Sequence, residues 1–131
     1  MKNIIYLVED DKDIREVVEY LLTGIGLNIQ TYGTISEFKK GLEVTLPDMI
    51  ILDIMLPDGN GTDICRELKL AELTRSIPVL LMSAHSDGKS PDGKLYADDF
   101  ISKPFDVEDL IQRIEQKLQT TSFDQSTSNI N

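Results

Sequence analysis

With 131 residues, 40% of them hydrophobic and 27% charged, the chain has the length and composition of one globular domain. Its formal net charge of -10, from 23 acidic against 13 basic residues, argues against direct nucleic-acid binding and against docking on an anionic membrane, since both depend on Lys and Arg. No apolar run approaches the roughly 20 residues needed to cross a bilayer, the N-terminus does not read as a signal peptide, and Cys65, the only cysteine, forms no intrachain disulfide, so a cytoplasmic location is expected.

Taken in chain order, strand and helix alternate, which predicts a parallel sheet covered by helices on both faces. Ile4 to Val8 is a short apolar run of the kind that is buried on both sides. Asp11 or Asp13 can cap the helix that follows. There Ile14, Val17, Val18, Leu21, Leu22 and Ile25 recur at helical spacing, and Gly24 and Gly26 mark the end. Leu27 to Thr31 reads as a second strand. Thr34-Ile35-Ser36-Glu37 has the spacing of a capping box and opens a short helix with Phe38 and Leu42 facing inward. Pro47 precedes a third strand, Met49 to Leu52, and Pro57-Asp58-Gly59-Asn60-Gly61 is a turn. The next helix is predicted from about Thr62 to Leu70, with Ile64, Cys65 and Leu68 inward, so Cys65 is read as core packing. Val79 to Met82 is the fourth strand and Asp99 to Ile101 a brief fifth. From Asp106 onward, Val107, Leu110, Ile111, Ile114 and Leu118 form the stripe of a last helix. The domain is therefore read as residues 1–119, with 120–131 a polar and flexible tail.

One stretch breaks the alternation. Ser86 to Ala97 contains two glycines and a proline, which cost about 1 and about 3 kcal/mol each in a helix interior. The fourth helix is accordingly expected to be short or irregular, with at most one turn at Lys94 to Ala97.

In a doubly wound sheet, ligands bind beyond the carboxyl ends of the strands. The polar residues that follow each apolar run are Glu9-Asp10-Asp11, Asp53, Ser83 and Ser102-Lys103-Pro104. Each alone reads equally well as a cap, a turn or surface charge; their joint placement at four strand ends does not. Three carboxylates crowded at one edge repel one another unless a cation intervenes. As hard oxygen donors, few in number, they suit Mg2+, and nothing here suits zinc. A carboxylate can attack a phosphoryl group to form an acyl phosphate, with a metal, an ammonium (Lys103) and a hydroxyl (Ser83) neutralising its oxygens.

These segments carry a resemblance. Leu7-Val8-Glu9-Asp10-Asp11, Leu52-Asp53-Ile54-Met55-Leu56-Pro57-Asp58-Gly59, Met82-Ser83-Ala84 and Ala97-Asp98-Asp99-Phe100-Ile101-Ser102-Lys103-Pro104-Phe105 stand in the order and near the spacing found in response-regulator receiver domains of two-component signalling. The resemblance spans roughly residues 3 to 118. It implies a flavodoxin-like α/β fold, a five-stranded parallel sheet of order 2-1-3-4-5. It also implies that Asp53 is the phospho-acceptor and that Asp10, Asp53 and the Met55 backbone carbonyl ligate Mg2+, with Glu9 acting through water. Ser83 and Lys103 would bind the phosphoryl group, a cis bond would precede Pro104, and Phe100 would be the aromatic switch that follows Ser83. The implied partners are a sensor histidine kinase or histidine phosphotransferase and a downstream protein target.

With no output domain after the last helix, a stand-alone receiver is expected, although a relay protein or a receiver cut from a larger protein fits equally. In relatives, the fourth helix, the fifth strand and the last helix form the signalling face, so that face is expected to be altered or mobile here. His85, two residues beyond Ser83, is read as a surface residue. The expected chemistry is phosphoryl acceptance and slow self-dephosphorylation rather than turnover of a separate substrate. Two alternatives stand beside it. One is a small Mg2+-dependent phosphohydrolase, against which Met55 occupies the position where haloacid-dehalogenase-like hydrolases carry a second aspartate. The other is a receiver-like module that works without phosphorylation.

Overall fold

The computed structural model describes residues 3–84 and 95–130, with side chains described as far as Leu118. Strands β1 (Ile4–Val8), β2 (Asn28–Tyr32), β3 (Met49–Asp53), β6 (Val79–Ser83) and β7 (Asp99–Ser102) form one parallel sheet in the order β2-β1-β3-β6-β7. The two-residue strands β4 (Met55–Leu56) and β5 (Gly59–Asn60) form a separate antiparallel hairpin. Set that hairpin aside and the sheet has the predicted 2-1-3-4-5 order. Helices α1 (Lys12–Gly24), α2 (Ile35–Val44), α3 (Gly61–Leu70) and α4 (Val107–Ile130) connect or follow the strands.

Strand residues alternate between two cores, as a period of two requires. Tyr6, Val8, Ile50, Leu52, Val79 and Leu81 face α2 and α3, where Phe38, Ile64, Cys65 and Leu68 complete one cluster. Ile5, Leu7, Met49, Ile51, Leu80 and Met82 face α1 and α4, meeting Val18, Leu22, Leu110, Ile114 and Leu118. Cys65 is buried, and burial pushes its thiol up to about 11, so it packs rather than reacts.

Local chemistry fixes the element ends. Asp11, rather than Asp13, caps α1, accepting from the amides of Asp13 (2.9 Å) and Ile14 (3.2 Å). At the other end, Gly26 takes a positive φ of 92°. The amides of Gly26 and Leu27 then close on the carbonyls of Thr23 and Leu22, a Schellman arrangement. The apolar stripe read on α1 is wider than the buried one: Val18 and Leu22 are buried, whereas Val17 and Ile25 are exposed. The backbone of α4 continues as helix through Ile130, across the stretch from Thr120 that composition reads as a tail.

The reading of a short or irregular fourth helix and of an altered output face rests on Ser86 to Ala97, of which residues 86–94, like His85, lie outside the described residues. Leu95 to Asp98 enter β7 without helix. Asp98 there accepts from the Val79 amide (2.8 Å) and pairs with Lys69 (2.5 Å), fastening β7 and α3 to the start of β6.

Gly61 opens α3 where the chain passes directly beneath the end of β3. A Cβ at this position would lie 2.2 Å from the Asp53 carbonyl oxygen and 2.9 Å from the Ile54 Cα, and the Gly61 amide donates to the Ile54 carbonyl at 2.7 Å. Backbone cannot yield as a flexible side chain does. Gly61→Ala is therefore expected to lower stability by about 1–3 kcal/mol, read as an earlier midpoint in urea denaturation. An unchanged midpoint would contradict so close an approach.

Candidate functional site

The carboxyl edge of the sheet gathers the residues singled out from the sequence. Glu9 and Asp10 follow β1, Asp53 ends β3, Ser83 ends β6, and Lys103 follows β7. Glu9, Asp53 and Ser83 are buried, while Asp10 is exposed. One carboxylate oxygen from each of Glu9, Asp10 and Asp53 lies within 4.8 Å of the others.

Lys103 organises this cluster. Its ammonium donates to Asp53 Oδ2 at 3.1 Å and to Glu9 Oε1, bridging two carboxylates that would otherwise repel. Its backbone amide donates to the Ser83 carbonyl at 2.9 Å, which ties the residue after β7 to the end of β6. The peptide between Lys103 and Pro104 is cis, the geometry that the resemblance implies.

The electrostatics follow from burial and crowding. Burial pushes the Glu9 carboxyl up to about 7. The Lys103 hydrogen bond opposes that rise, and the neighbouring Asp53 adds to it. For Lys103, burial acts downward, but hydrogen bonds and charge contacts with Glu9 and Asp53 outweigh it and hold the ammonium above its ordinary value. The site thus keeps a fixed cation beside Asp53.

Phe100 sits two residues before Ser102, the register partner of Ser83 on the adjacent strand, and packs half-buried against the α2/α3 core. The Met55 side chain is exposed, and its backbone belongs to the β4–β5 hairpin. Two further residues, not flagged by the sequence, hold the loops of the site. Arg15 Nη1 donates to the carbonyls of Glu9 (2.8 Å) and Asp10 (3.1 Å). Asp58, at the hairpin tip, accepts from the amides of Ile35 (2.9 Å) and Ser36 (3.0 Å). Their partners are backbone atoms of other segments, so no side-chain pattern announces them.

A family model described as the response regulator receiver domain matches residues 5–115. The chain belongs to this family. It is 32% identical over 123 residues to the transcriptional regulatory protein GltR of Pseudomonas aeruginosa, covering 92% of this chain and 51% of that protein. The response regulator ArlR of Staphylococcus aureus is 37% identical over 120 residues, covering 88% of this chain and 52% of ArlR. Among solved structures, a signal receiver domain of a histidine kinase from Syntrophus aciditrophicus superposes with a TM-score of 0.80 at 31% identity, covering 90% of this chain and 91% of that one. The chain spans about half the length of these two regulators. Like other members of its family it is a phospho-acceptor signalling domain with the flavodoxin-like receiver fold. Among the described residues, no helix is long and apolar enough to cross a membrane.

Proposed function

We propose that Asp53 accepts a phosphoryl group from a phosphohistidine on a sensor histidine kinase or histidine phosphotransferase, and that the receiver then signals to a downstream protein from the cytoplasm. The observation that carries this reading is the Lys103 bridge. An ammonium 3.1 Å from Asp53 Oδ2 stands beside a carboxylate already crowded by Glu9 and Asp10. In the transfer, an Asp53 oxygen forms the new bond to phosphorus as the P–N bond to the donor imidazole breaks, and the imidazole leaves with that electron pair. Lys103 pairs with a phosphoryl oxygen, and the Ser83 hydroxyl donates to another. Phe100, on the strand beside Ser83, would follow that hydroxyl.

The donor set fits Mg2+: hard carboxylate oxygens, few in number, with Asp10 open to solvent for water ligands. Asp10, Asp53 and the Met55 carbonyl would hold the ion directly and Glu9 through water. When bound, it neutralises charge on the phosphoryl oxygens. Release of phosphate from Asp53 by water makes the domain self-limiting, without a separate substrate to turn over. The acidity of the chain gives no support for direct contact with nucleic acid.

The test is to incubate the protein with acetyl phosphate and Mg2+ and follow its mass. One alkali-labile phosphoryl adduct is expected on the wild type and none on Asp53→Asn, with the variant folded by circular dichroism. An adduct that survives in Asp53→Asn would defeat the assignment. Repeated turnover of phosphomonoesters would point to a hydrolase, and a folded wild type that takes no adduct would point to a phosphorylation-independent module.

A further inference from the structure

We propose that Asp58 is a positioning residue for the metal site, fastening the hairpin that carries the Met55 carbonyl to the first turn of α2. Its carboxylate spans that turn: Oδ1 accepts from the Ile35 amide at 2.9 Å and Oδ2 from the Ser36 amide at 3.0 Å. Helix α2 does not depend on Asp58 for its own cap, because Thr34 Oγ1 already accepts from the Glu37 amide at 3.1 Å. Asp58 takes up two of the amides that a single capping side chain leaves over. The attachment is also steric, since a Cβ on Gly59 would stand 2.8 Å from Ile35 Cδ1. These two N–H donors are the main reason the Asp58 carboxyl lies below its ordinary range although it is exposed, so the clamp carries full negative charge at neutral pH.

The hairpin is thereby held at both ends. Its base is pinned where Gly61 runs beneath Asp53 and Ile54, donating to the Ile54 carbonyl at 2.7 Å, and Asn60 caps α3 through the Thr62 amide at 2.8 Å. Its tip is pinned by Asp58. Met55 lies between them, paired with Asn60. The same β2–α2 turn backs the other donor loop, because Arg15, which grips the Glu9 and Asp10 carbonyls, passes close enough that a Cβ on Gly33 would be 3.0 Å from its Nη1. Residues 33–36 therefore serve as a common abutment for the two loops that would carry the metal ligands, although none of them would be a ligand itself. Groups that orient metal ligands from behind typically change affinity by roughly 10- to 100-fold when removed.

This inference rests on the reading that Mg2+ uses the Met55 carbonyl, and the experiment separates the two. Chelator-stripped wild type, Asp58→Ala, Asp58→Asn and Thr34→Ala are titrated with Mg2+ by calorimetry, and each is unfolded in urea. Asp58→Ala is expected to bind Mg2+ roughly tenfold more weakly. Asp58→Asn, which keeps one acceptor oxygen, should fall between that and the wild type. Thr34→Ala loses a bond to the same helix turn and should lose stability, yet keep wild-type Mg2+ affinity. A merely structural role would make Thr34→Ala weaken Mg2+ binding as much as Asp58→Ala does, and that result would overturn the proposal. So would wild-type affinity in Asp58→Ala, or, where that variant fails to fold, in Asp58→Asn. A wild type that binds no Mg2+ would remove the metal reading itself and this inference with it.

Discussion

Lys103→Met is expected to abolish most phosphoryl uptake while tightening Mg2+ binding, two effects of opposite sign from one substitution. The side chain that is removed spans Asp53 and Glu9. Its charge stabilises the oxygens of an incoming phosphoryl group, and loss of one such preorganised donor typically slows transfer by roughly 10²- to 10³-fold. The same charge repels a cation that shares those carboxylates, so its removal favours Mg2+. Labelling with acetyl phosphate at saturating Mg2+ reads the first effect, and a calorimetric Mg2+ titration reads the second. General misfolding would weaken both together, and that joint loss would sink the argument.

The metal-free variant should also be less stable. Stranding a buried charge ordinarily costs about 3–5 kcal/mol. Here the cost is expected below that range at neutral pH, because Glu9 already titrates near 7 and escapes by taking up a proton. Added Mg2+ should restore most of that loss.

The parts of this molecule that the sequence makes legible are those where one physical cause acts alone. Ile4–Val8, Met49–Asp53 and Val79–Ser83 are central strands covered on both faces, so nearly every residue is apolar and the runs stand out. The polar residue that ends each run falls at the carboxyl edge by topology alone, and Glu9, Asp53 and Ser83 can therefore be grouped before any coordinate is known. Legibility fails where a neighbour decides. On α1 the periodicity gives the direction of the buried face but not its width; Val17 keeps the spacing of a core residue and is nevertheless exposed. The β4–β5 hairpin reads only as a turn, since two-residue strands are too short to display a period. Arg15 and Asp58 are less accessible still. Their partners are carbonyls and amides brought close by the fold, and backbone atoms are the same at every position of the sequence.

Removal of divalent cations should leave a protein that loses stability as the pH rises from about 4.5 to about 7, the reverse of the usual trend on the acid side. The cause is Glu9, fully buried and facing Asp53. Its carboxyl titrates at about 7 in the folded chain against an ordinary value of 4.5. Between those two values the folded state holds a proton that the unfolded state has given up, so each step upward in pH favours unfolding. A shift of that size corresponds to at most about 3 kcal/mol, shared with the Lys103 contact that opposes it. Above about 7 the penalty is complete and this contribution becomes flat. At the acid end Asp58 acts in the opposite sense: its carboxyl is held below its ordinary value, so its contribution is lost as the pH falls through that range. Urea midpoints in chelator from pH 4 to 8 should accordingly be highest at the acid end, at about pH 4–4.5, and fall towards pH 7. Glu9→Gln removes the buried titration and keeps the shape, so its profile should be flat from pH 5 to 8 and lie above the wild type at pH 8. In saturating Mg2+ the wild-type decline should largely vanish, because a cation beside Glu9 favours the ionised carboxylate that folding otherwise penalises. A wild-type midpoint in chelator that climbs steadily from pH 5 to 8, or a Glu9→Gln profile with the same decline, would show that the strain in this site does not reside at Glu9.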